Sequence, residues 1–103
     1  MAGVRHSLTA TVYDKRGRVL SVGVNSYVKT HPRMAAYSLQ AGLPDKQFLH
    51  AEVAALIRCR GVPHKILIER FDSKGRPRLA KPCPVCELAI LESGIKLVEY
   101  TIG

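Results

Sequence analysis

The chain has 103 residues, of which 47% are hydrophobic and 23% charged, and it carries a net charge of +8. This balance fits one globular domain over residues 1–103 and excludes an intrinsically disordered chain. No apolar run reaches the ~18 residues of a membrane span, and the start, "MAGVRHSL", lacks a signal-peptide pattern; a cytoplasmic protein with no membrane partner is expected.

Residues 8–14, "LTATVYD", alternate and are rich in β-branched and aromatic side chains. "KRGR" supplies a glycine turn, and "VLSVGVNSY" at 19–27 reads as a second strand, so the chain opens on a β-hairpin. "KTHP" is a loop, with Pro32 steering His31 away from helix. "RMAAYSLQAG" predicts a short helix with Met34, Tyr37, Ser38 and Ala41 near one face and Gly42 as its stop. "LPDK" is another loop, in which Asp45 can cap the helix expected from about residue 46 to 60. Arg58, Arg60 and Gly61 suit the end of that helix. "HKILIERFD" at 64–72 is a strand with a buried centre, and "SKGRPRLAK" is a basic loop. "PCPVCELAILESG" opens with proline and ends with glycine, as short helices do. "IKLVEYTIG" closes the chain as a strand. The order β-β-α-α-β-α-β predicts an α/β fold, with a central, mostly four-stranded mixed sheet in three layers and helices on its faces.

Three cysteines are present, two of them in a C-x-x-C pair, which in a cytoplasmic chain points to metal or redox chemistry. Cys83 and Cys86 lie three apart at a helix start and project to one side. His50 opens another helix and supplies an imidazole. Zinc takes such donors, and three protein ligands leave the fourth position open, as catalytic rather than structural zinc sites do. Glu52, two residues past His50, is then placed to move protons. A redox pair would leave His50 and Glu52 unexplained. A zinc ribbon needs a second C-x-x-C, and only Cys59 remains, expected as a partly buried free thiol.

"HAE" at 50–52 followed by "PCPVC" at 82–86 resembles the zinc-dependent cytidine and deoxycytidylate deaminase superfamily, with its H-x-E and P-C-x-x-C motifs. The likeness runs from about residue 8 to 101, and "NSYVKTHP" is similar to a substrate-side loop of compact phage and bacterial members. It implies a cytidine-deaminase-like fold, zinc on His50, Cys83 and Cys86, and Glu52 as general acid and base. It also implies contacts to substrate from Asn25 and from the backbone of Ala51. The activity implied is hydrolytic deamination at C4 of cytosine or C6 of adenine, and the partner is a cytosine nucleoside or nucleotide. Family elements before the first strand and after the fourth are short or missing here. That leaves substrate class open and exposes a sheet edge, so a homo-oligomer is expected.

Two other readings stand beside this one. A polynucleotide deaminase, acting on tRNA adenosine or single-stranded cytosine, suits the positive charge but not the six aromatic residues, since strand binding uses stacking platforms. A nucleic-acid-binding module with structural zinc conflicts with three ligands and with Glu52. Lys29, Arg33, Lys74, Arg76, Arg78 and Lys81 flank the two motifs and form either solvated loops or phosphate contacts. Asn25 has the alternative of a plain turn residue. Tyr100 is expected in the core rather than stacked on a base. His31 and His64 are expected in solvated loops.

Overall fold

β1 (Ser7–Tyr13) and β2 (Val19–Val24) form the expected hairpin, followed by α1 (Pro32–Gln40), α2 (Ala51–Arg58), β3 (Lys65–Phe71), α3 (Pro84–Ser93) and β4 (Leu97–Tyr100). The structure, a computed structural model, describes residues 7–26, 29–43 and 49–103. The proposed Asp45 cap and a helix start at residue 46 lie outside the described residues. The strand order is β2-β1-β3-β4. β1 pairs antiparallel with β2 and β3, and β3 runs parallel to β4. A parallel pair needs a long crossover, which α3 provides. The expected α/β fold with a four-stranded mixed sheet is therefore present.

Side-chain alternation divides the sheet. Ala10 and Val12 of β1, Ser21 and Gly23 of β2, and Ile66 and Ile68 of β3 are buried and in register on one face. Ala51 and Ala55 of α2 and Ile90 of α3 close that core. A second apolar cluster joins Met34 of α1, Val53 of α2 and Val85, Cys86 and Ala89 of α3. The described helices thus gather on one side of the sheet. On the other face Val22, Val24 and Leu97 are exposed.

Gly23 sets where α2 begins. A Cβ there would collide with the Ala51 carbonyl and the Ala55 amide, so only glycine lets the helix lie this close to β2. Ser21 Oγ donates to the Ala55 carbonyl at 2.7 Å in the same buried contact. The small residues of "AEVAAL" make the close approach possible, and its result is a fixed position for the first turn of α2.

Two loops share one construction. "DKRGR" at 14–18 and "DSKGR" at 72–76 each put an aspartate first and a left-handed glycine fourth, with φ 82° at Gly17 and 77° at Gly75. Asp14 accepts from the amides of Arg16 and Arg18, both at 2.9 Å. Asp72 accepts from those of Lys74 and Arg76 at 2.9 and 3.0 Å. Arg76 and Arg78 also pair with the Asp72 carboxylate at 3.0 and 3.1 Å. These bonds, led by the Arg76 amide, hold Asp72 down at about 2. Two of the six flanking cations, Arg76 and Arg78, are therefore engaged on the turn's own aspartate.

Candidate metal centre

His50 and Cys83 are the N-cap residues of α2 and α3, both with extended backbone, and neither side chain makes a cap hydrogen bond. Each is directed to the other motif instead. His50 Nδ1 lies 3.2 Å from Cys86 Sγ and 3.5 Å from Cys83 Sγ. The three donor atoms fall within 4.8 Å of one another, and they are the one such group among the described residues. A tetrahedral zinc with ordinary bond lengths needs nitrogen–sulfur edges of about 3.5 Å. His50, Cys83 and Cys86 are therefore placed to hold a metal ion, and their chemistry and spacing fit zinc.

α3 starts later than its motif. The sequence suggested Pro82, whereas the helix begins at Pro84 and leaves Cys83 as the cap. Pro84 at the first helical position has no amide to lose and a φ already suited to the helix. α2 runs Ala51–Arg58 rather than on to residue 60, because Cys59 turns extended. The later start of α3 puts Cys83 where the chain enters a helix, as His50 is for α2, near first-turn amides and the positive end of the helix dipole.

The Cys83 thiol is held down at about 3, chiefly by the hydrogen bond with Cys86; burial opposes this and His50 assists. Cys86 is pushed up by that shared bond and by its burial. Metal binding requires thiolates, so a bound dication would displace any proton the two sulfurs share. Glu52, 5% exposed, is pushed above the usual carboxylate range by burial, with its own amide and His50 pulling the other way.

A cavity of about 360 Å³ opens over this group, lined by His50, Glu52 and Cys83 together with Asn25, Arg70 and Lys81. Leu8, Ser26, Leu79 and Ala80 complete its walls. Asn25 comes immediately after β2 and is fixed to the start of β1: its Oδ1 accepts from the Leu8 amide at 3.0 Å, and its amide donates to the Leu8 carbonyl at 3.2 Å. Ala51 does not line the cavity. Its side chain belongs to the core, and its amide lies in the first turn of α2.

Other expectations change. Of the six flanking cations, Lys81 alone lines the cavity. Arg33 lies instead by Tyr37 and Glu92. His31 ends its loop as the N-cap of α1, its Nδ1 accepting from the Arg33 amide at 3.1 Å. His64 lies in the loop just before β3, where its amide donates to the Tyr13 carbonyl and its carbonyl accepts from the amides of Lys96 and Leu97. Cys59 is the expected half-buried free thiol, and Tyr100 packs against the core.

Arg70 was not singled out from the sequence. It shares parity with buried Ile66 and Ile68 and stands opposite Leu8, so it points to the helix side of the sheet at the cavity. The signal was the even-numbered phase of "ILIER". No known protein family matches the chain, and neither does any curated protein.

Proposed function

We propose that this chain is a zinc-dependent hydrolase that converts the amino group of a cytosine nucleoside or nucleotide to the carbonyl of uracil, releasing ammonia. The observation that carries this reading is Glu52: a buried carboxyl lining the same cavity as His50 and Cys83, where a purely structural metal site would have no use for an acid. Buried ionisable groups are costly, and their concentration at one cavity favours a catalytic purpose.

His50, Cys83 and Cys86 would hold the zinc, which when bound supplies a Lewis acid that lowers the pKa of water to roughly 7. Glu52 takes a proton from the water that adds to C4 and passes it to the ring nitrogen N3, then takes the second proton from the hydroxyl left on C4 and delivers it to the departing amine. One water enters and one ammonia leaves. Burial suits Glu52 to this exchange, because a raised pKa makes its carboxylate a stronger base toward the proton of the water. Asn25, held by its two bonds to Leu8, is a fixed residue of the cavity wall on the side where the sugar or base would lie.

The test is ammonia release from cytidine, deoxycytidine, their monophosphates, adenosine, and single-stranded DNA and RNA, with the zinc-loaded protein. Turnover of a cytosine mononucleotide or nucleoside is expected. Glu52→Gln should keep zinc and fold while losing about 10²- to 10⁴-fold in turnover. Near-normal turnover in that variant would overturn the assignment.

A further inference from the structure

Arg70 is anchored more firmly than a surface arginine needs to be. Its amide donates to Thr101 Oγ1 at 3.0 Å, and its carbonyl accepts from the Arg78 amide at 2.8 Å. Thr101 Oγ1 in turn donates to the Arg78 carbonyl at 2.6 Å, tying β3, the 72–81 loop and the end of β4 together at this point. The side chain is committed on one edge only: Nη1 donates to the Leu79 carbonyl at 3.4 Å. Nε is buried and has no hydrogen-bond partner among the described residues. A buried donor left unpaired is costly, and native proteins keep few of them.

The lining of the cavity is electrically divided. Glu52 is almost wholly buried beside the metal ligands, whereas Lys81 is exposed and Arg70 half-buried. The other arginines of this loop, Arg76 and Arg78, are paired with Asp72. Among the described residues, Arg70 and Lys81 are the arginine and lysine that line the cavity. A ligand that matches this division has a neutral, amine-bearing head and an anionic tail. The volume, about 360 Å³, is that of a small-molecule site. Arginine is suited to phosphate because its planar fork can donate two parallel bonds.

We propose that Arg70, aided by Lys81, binds the phosphate of a pyrimidine nucleoside monophosphate and so makes this site select a mononucleotide over the bare nucleoside. This rests on the deaminase reading above and narrows its substrate class. The phosphate meets a guanidinium whose main chain is already fixed, so little order remains to be imposed on binding. The competing role for Arg70 is a strut that holds Leu79 in place, and the two roles separate in experiment. A strut supports every ligand equally, whereas a phosphate contact supports only the phosphorylated one.

The experiment is titration calorimetry of the zinc-loaded protein with deoxyuridine monophosphate and with deoxyuridine, a product pair that needs no turnover. The wild type should bind the monophosphate about 10- to 100-fold more tightly, the range of one charge-assisted contact. Arg70→Ala should abolish that preference, weakening the monophosphate far more than deoxyuridine. Arg70→Lys, which keeps charge but not the fork, should fall between. The proposal is overturned if neither ligand binds, if the wild type shows no preference, if the preference survives Arg70→Ala, or if that variant weakens both ligands equally. Tight, salt-sensitive binding of a single-stranded oligonucleotide without preference for the monophosphate also overturns it, in favour of a polynucleotide backbone. Failure of the deaminase reading shows separately, as no ammonia from any cytosine compound.

Discussion

His31 and His50 stand at the same position of two helices, the N-cap, with extended backbone at both. Their side chains do different work. His31 Nδ1 accepts from the Arg33 amide two residues on, a local bond that closes the first turn of α1. His50 Nδ1 is turned to Cys83 and Cys86, more than 30 residues away in sequence. The residue type and the local conformation are the same, and what differs is what lies opposite. α2 faces α3, which brings two sulfur atoms to the helix start. One histidine therefore stabilises a helix, and the other is placed to hold an ion.

The largest expected effect comes from His50→Ala. Zinc should fall from one per chain to near zero, measured by elemental analysis after dialysis. The wild type should lose thermal stability on chelation, by about 2.7 kcal/mol if zinc had been at a hundred times its dissociation constant. The variant should be indifferent to the chelator. His31→Ala should keep one zinc and cost about 0.5–1 kcal/mol in denaturant unfolding, the scale of a lost cap. If His31→Ala loses zinc, or His50→Ala keeps it, the two roles are not distinct.

Cys83→Ser tests the comparison from the other side. Cys83 is a cap residue that does not cap, and serine is among the preferred capping residues. The metal-free variant should be as stable as the metal-free wild type or gain about 0.5–1 kcal/mol, while zinc binding is largely lost. Reduced stability without metal would mean that the Cys83 sulfur supports the fold itself.

The smallest effect belongs to a bond set that is wholly local. Asp72 is held down at about 2, from a usual 3.8, by amides within its own turn. A depressed carboxylate contributes its stability in full above the ordinary value, and that contribution is lost as pH falls through about 2. Side-chain NMR should show Asp72 titrating near 2, with the metal site loaded or stripped. A midpoint near 3.8 would mean that the turn is not formed as described.

Much of this molecule was legible because its information is local. Alternation in "LTATVYD" and "HKILIERFD" marks strands, because neighbouring side chains face opposite sides of a sheet. The Pro84 and Gly94 boundaries of α3 follow from what each residue does to the backbone at a helix end. The metal trio was legible too, since a C-x-x-C at a helix start and a histidine at another are donors in search of one another. The unread parts were relations between distant segments. Pro32 disfavours helix at His31 and so marks it as loop, and the same extended backbone is what lets His31 cap α1 through a bond to Arg33. The basic loop looked like one field of charge, yet Asp72 takes up Arg76 and Arg78.

By itself the sequence determined the order of strands and helices and the three donors that sit at helix starts, because hydrophobic period, proline, glycine and ligand chemistry act over a few residues. Tertiary structure decided where those pieces meet. Gly23 admits α2 close against β2 and fixes the height of His50 and Glu52 above the sheet. Pairing of β3 with β1 sets Arg70 opposite Leu8, at the cavity rather than in solvent. No local rule contains either result, because each depends on the distance between backbones that are joined only through the fold.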